Sequence, residues 1–123
     1  MIPSLYHADE EQHWHGFLNQ LTPEARAFVE PLADQLLPVL GGPRPFGVCL
    51  ADGYVRITWR NLPGAWLEVT LVNHTNFFAK SGEEANWFSK NLVDGTYDGH
   101  PIPSVDSGVE AMSQWFAKAK VPA

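Results

Sequence analysis

The residues best equipped for chemistry in this chain are its histidines, its one cysteine, and a run of aromatic and arginine side chains between positions 54 and 66. His7, His13 and His15 suggest a metal site, but helical geometry separates the nearest pair. On a helix, residues two apart point about 200° from one another, so His13 and His15 cannot share an ion. The pairs a helix does align are Asp9 with His13 and Glu11 with His15. Each supplies two ligands, short of the four that close a structural zinc site. Solvated histidines flanking a buried Trp14 are the simpler reading, so no metal site is assigned.

Cys49 would act as a nucleophile only with a depressed pKa and a base at hand. In the pairing expected below, its one charged neighbour is Arg56, directly across the strand, and a small apolar filler fits as well. Asp94 and Asp98 lack the alternating ligands and terminal Glu of a calcium loop. There is no G-x-S-x-G, no phosphate-cradling glycine loop and no C-x-x-C. No catalytic residue and no cofactor is therefore assigned. The set that remains is Tyr54, Arg56, Arg60 and Trp66, with Thr58 and Thr70. Tyr, Trp and Arg dominate the hot spots of protein interfaces, so these are expected to form a partner-binding face.

The element that must position them is the segment 46–60, FGVCLADGYVRITWR. Asp52-Gly53 between apolar runs signals a hairpin with a two-residue type I′ turn. That loop would pair Leu50 with Val55, Val48 with Ile57 and Phe46 with Trp59, six apolar side chains on one face. On this reading all six belong to the core. Tyr54, Arg56, Thr58 and Arg60 lie on the other face, and WLEVTLV at 66–72 alternates as the next strand. A further strand is expected over 77–80.

Helices flank this meander. Residues 9–20 carry Trp14, Phe17, Leu18 and Leu21 on one stripe, with Asp9 as cap. Thr22-Pro23-Glu24 opens a second helix, whose stripe of Ala25, Phe28, Val29, Leu32, Leu36 and Leu40 runs to Gly41-Gly42. Pro31 inside it predicts a kink or break. Residues 81–93 read as a short helix, with strand and hairpin as the alternative. The turn-rich stretch 94–103 reads as loop, and a last amphipathic helix follows over 104–119, capped by Ser104 or Ser107. The expected fold is thus a single α+β domain over residues 1–123. It has N-terminal helices, an antiparallel meander of about four strands centred on the 46–60 hairpin, and a C-terminal helix.

Composition bounds the function. An apolar share of 45% with fifteen aromatics is too rich for disorder. The N-terminus has no signal-peptide pattern and no apolar run is long enough for a membrane helix. With a single cysteine, these features point to a soluble, cytoplasmic protein. The net charge is −6. Residues 1–42 hold six acids against Arg26, residues 43–61 hold three arginines against Asp52, and the remainder holds seven acids against four lysines. This balance argues against nucleic acid, whose binding rests on phosphate neutralisation, and suits a protein partner with a basic surface. The expectation is a non-enzymatic binding or inhibitor-type protein, of the immunity, antitoxin, phage-inhibitor or chaperone kind, with homodimerisation as a further possibility. The alternative is a small-ligand-binding or enzymatic domain with an aromatic-lined pocket.

Overall fold

The computed structural model describes residues 3–40, 44–59, 62, 64–77 and 84–120. The chain runs α1 (Pro3–Leu18), α2 (Pro23–Leu40), β1 (Phe46–Cys49), β2 (Val55–Trp59), β3 (Ala65–Leu71), a single 3-10 turn (His74–Asn76), β4 (Ala85–Asn91), β5 (Tyr97–Pro101) and α3 (Val105–Lys120). The five strands form one antiparallel sheet in sequence order, so the 46–60 hairpin lies at one edge and β3 at the centre. The α+β class, the N-terminal helices, the meander and the closing helix are as expected. Among the described residues, no helix is long and apolar enough to cross a membrane.

Helix α1 starts at Pro3, so Asp9 lies within it and does not cap it. Its stripe is as read: Trp14, Phe17, Leu18 and Leu21 are all buried. Thr22 caps α2, its hydroxyl accepting from the Ala25 N–H at 3.3 Å and donating to the His74 carbonyl at 2.8 Å. Helix α2 runs through Pro31 and Pro38 without breaking. Each proline removes one backbone donor, but Phe28, Leu32, Leu36 and Leu40 stay buried along one stripe, and that packing outweighs the lost bonds. Ser104 and Ser107 cap α3 reciprocally: the Ser107 N–H donates to Ser104 Oγ at 3.2 Å, and the Ser104 N–H donates to Ser107 Oγ at 3.3 Å.

The helices cover one face of the sheet. Val55, Ile57 and Trp59 of β2, Leu67, Val69 and Leu71 of β3, and Ala85 and Trp87 of β4 join the helical stripes in a single core. Their register is direct: Ile57 faces Val69, and Val69 faces Trp87. Trp115 packs against this core from α3. Arg44 ties the helices to the start of the sheet, donating to Glu11 on α1 at 2.9 Å and to Asp34 on α2.

Three further expectations change. First, the 46–60 hairpin has a three-residue loop. The Leu50 N–H donates to the Tyr54 carbonyl and the Gly53 N–H to the Leu50 carbonyl, both at 2.9 Å, and Gly53 sits at φ +90°. This is a turn closed by a glycine bulge, the common three-residue alternative to type I′. It shifts β1 by one residue, pairing Phe46 with Thr58, Gly47 with Ile57, Val48 with Arg56 and Cys49 with Val55. Because side chains alternate, that slip inverts β1. Phe46 and Leu50 are exposed, Val48 is half-buried on the outer face, and Gly47 and Cys49 turn inward.

The physical reason is the contact below the strand. A Cβ on Gly47 would lie 2.5–2.6 Å from three ring carbons of Phe17. The ring of Phe17 thus fills the space of a side chain, and only glycine admits it. Second, residues 85–91 form strand β4, the alternative reading of that segment. Third, residues 97–101 within the expected loop form β5, the fifth strand. Phe77 is buried but not in a strand; the rest of the strand expected at 77–80 lies outside the described residues.

Candidate functional site

The outer face of the sheet carries the strand side chains that alternation turns away from the helices. Reading across at mid-sheet, Phe46, Thr58, Glu68, Phe88 and Gly99 are successive neighbours; one pair along, Val48, Arg56, Thr70, Asn86 and Pro101 are. Tyr54, Arg56 and Trp66 lie on this face, as their parity required. Arg60 lies outside the described residues. The predicted residues do not gather into one patch, however. Arg56 faces Thr70, near the turn end of β2, while Trp66 faces Lys90 at the other end of β3.

Around Arg56 the face is polar. Arg56 Nε is 4.0 Å from Glu68 Oε1, and Thr58 Oγ1 donates to the same oxygen at 3.4 Å. Glu68 has a side chain only 13% exposed. Burial pushes its carboxyl above the ordinary value, with Arg56 and Thr58 pulling it partly back. Tyr54 is half-buried beside the turn, its N–H donating to Asp52 Oδ1 at 3.1 Å.

Around Trp66 the face is apolar and aromatic. Tyr97 stacks toward Trp66 with ring centroids 6.4 Å apart and toward Phe88 at 6.1 Å, inclined by 25° and 20°. Both separations lie within the range of attractive aromatic pairs. Trp66, Lys90, Leu92 and Tyr97 line a shallow depression of about 350 Å³. Beside it Leu92 and Val93 are exposed, Val93 at 84%. Side-chain bonds tie the turn that carries them: Asn91 Oδ1 accepts from the Val93 N–H at 2.9 Å, and Asp94 Oδ1 accepts from the Thr96 N–H at 2.9 Å. Those Thr96 bonds hold the Asp94 carboxyl below its ordinary value.

No protein-family model matches this chain, and no curated protein and no solved structure matches it either.

Phe88, Lys90, Leu92 and Tyr97 were missed because the segments that carry them read as helix and loop. The available signal was Asp94-Gly95, a hairpin turn flanked by Trp87-Phe88 on one side and Tyr97 on the other. It did not decide because β5, YDGHP, has no apolar alternation of its own.

The other chemical candidates resolve separately. Cys49 faces Val55 on the inner side and packs against the core. Arg56 stands across from Val48 instead, and burial pushes the Cys49 thiol up, away from the thiolate a nucleophile needs. His13 and His15 part as the helix requires. His15 Nε2 lies 3.5 Å from Glu11 Oε2. The His13 ring stacks on Phe46 at 4.4 Å, and its Nε2 approaches the Gly47 carbonyl at 3.2 Å and N–H at 3.4 Å. His13 thus covers backbone groups that the edge strand β1 turns away from β2. Among the described residues, no three His, Cys, Asp or Glu side chains converge as a metal site.

Proposed function

We propose that this chain is a non-enzymatic binding protein of the inhibitor or immunity type, docking a partner protein through the outer face of β3, β4 and β5. The observation that carries the reading is the Trp66–Tyr97–Phe88 stack, with Leu92 and Val93 exposed beside it. Aromatics next to exposed aliphatics supply the central, desolvated part of an interface. Arg56, Tyr54 and Thr58 form a polar margin farther along the face. Among the described residues that face carries two cations, Arg56 and Lys90, against Glu68, too little charge to track a nucleic-acid backbone. A single half-buried thiol suits a partner in the reducing cytoplasm.

The test is a capture from native lysate with three baits: wild type, the Trp66→Ala/Tyr97→Ala double variant, and Val39→Ala as a control on exposed helix surface. A prey held by wild type and the control but lost with the double variant supports the reading. A prey held equally by all three refutes it. The depression beside Trp66 favours a second reading, a flat small molecule stacked on the indole. Quenching of Trp fluorescence by a low-molecular-weight lysate fraction, abolished by Trp66→Phe, would favour that one.

A further inference from the structure

We propose that two copies of this chain pair through the free edge of β5, antiparallel about a two-fold axis at Gly99, giving a weak dimer with a continuous ten-stranded sheet.

The edge is open. All five residues of β5 are exposed, and β5 ends the strand order of the sheet. Its hydrogen-bonding parity is set by the flanking bonds: the Asn91 N–H donates to Thr96 O, and the Ile102 N–H donates to Ala85 O, both at 2.9 Å. Alternation along an antiparallel ladder then turns Asp98 and His100 to β4, and leaves the backbone groups of Tyr97, Gly99 and Pro101 pointing outward. The opposite edge of the sheet differs, since His13 of α1 already occupies the backbone of Gly47 there.

The occupant follows from self-complementarity. Antiparallel pairing of β5 with its own copy allows a few registers, fixed by which residue sits on the axis. An axis at Asp98 sets carboxylate against carboxylate, and one at His100 sets imidazole against imidazole. An axis at Tyr97 or at Pro101 overlaps only that one residue of the strand. The axis at Gly99 overlaps all five residues and sets Asp98 against His100 of the second copy, twice by symmetry. Those two form a non-hydrogen-bonded pair, the kind whose side chains approach closest.

In the same register Gly99 exchanges both backbone bonds with its copy. The Tyr97 N–H donates to the carbonyl of the second copy's Pro101, and the ring of Tyr97 meets that proline. Pro101 has no N–H to return, so one carbonyl per copy goes unpaired. That loss and the short strand make the dimer weak and concentration-dependent, at the low end of interface size. Gly99 suits the centre because Phe88 already leans over it: a Cβ there would lie 2.8 Å from that ring.

The dimer does not depend on the docking reading above. Sedimentation equilibrium of the full chain between about 5 and about 500 µM, a range that spans weak affinities, should show the mass rising from 13.7 kDa toward twice that value. His100→Asp opposes two carboxylates and should weaken dimerisation about tenfold, as should Asp98→His by losing the pair. The swapped variant Asp98→His/His100→Asp restores opposite partners and should return the constant to within about threefold of wild type. Both residues are exposed; the His100 ring also lies 4.8 Å from that of Trp87, so circular dichroism and thermal melting confirm the folding of each variant. A monomer throughout the range, a dimer indifferent to His100→Asp, or a swap that fails to restore it would each overturn the proposal.

Discussion

Replacing Gly47 by Ala tests the shifted register of β1 most directly, because the two pairings predict opposite signs. In the two-residue-loop pairing, position 47 faces outward, and Ala would relieve the entropic handicap of glycine in a strand by about 0.5–1 kcal/mol. In the observed pairing, the new methyl points at Phe17, with three ring carbons only 2.5–2.6 Å away. Carbon atoms rest at about 3.5–4.0 Å, so the ring or the strand must give by about 1 Å. Phe17 is only 2% exposed and has little room to turn. Overpacking of this kind costs about 1–3 kcal/mol. Less the entropic gain, a net loss of about 1–2 kcal/mol remains, roughly 4–8 °C in melting temperature for a chain this long. Urea unfolding followed by Trp fluorescence measures it. The same substitution made with Phe17→Leu should cost less than about 0.5 kcal/mol, giving a coupling energy of about 1–2 kcal/mol. If Gly47→Ala stabilises the protein, or its cost is unchanged by Phe17→Leu, the register argument fails.

Three further substitutions probe the same faces. Val48→Asp sets a carboxylate opposite Arg56 on the outer face, and should change stability by less than about 1 kcal/mol. Ile57→Asp buries one at a site 1% exposed. It adds several kcal/mol of desolvation to the lost apolar burial, enough to unfold a domain stable by about 5–15 kcal/mol; far-ultraviolet circular dichroism separates the two outcomes. For Glu68, burial raises the folded carboxyl above its unfolded value, so the native state binds the proton more tightly. Stability attributable to this group therefore falls as pH rises from the unfolded carboxylate range through the raised folded value, and the loss is complete above it. Glu68→Gln should gain on wild type across that window and hold the gain to neutral pH; a difference independent of pH would refute it.

The helices were legible in the sequence because their signals are local. Trp14, Phe17, Leu18 and Leu21 recur at helical spacing, Thr22 and Ser104 sit where caps belong, and each buries or bonds as read. The alternation of β2 and β3 was equally plain, and it placed Tyr54, Arg56 and Trp66 on the face opposite the core. What alternation does not encode is the distance along the strands, so Trp66 and Arg56 fell into separate neighbourhoods.

Two matters were settled only by the folded chain. Asp52-Gly53 can close a two-residue or a three-residue loop, and local sequence does not choose between them. Phe17, thirty residues upstream of Gly47, decides by filling the space under that glycine. Asn73 lies where a Cβ on Gly53 would be, so the bulge position too is read from a distant neighbour. Similarly, residues 84–101 carry mixed helical, strand and turn signals, and they become β4 and β5 because β3 offers an unpaired edge and β4 then offers another. Backbone hydrogen bonds are indifferent to side-chain type, so a strand such as YDGHP leaves no apolar pattern to read. That pairing set Tyr97 beside Trp66 and Phe88, and with it assembled the aromatic face on which the proposed function rests.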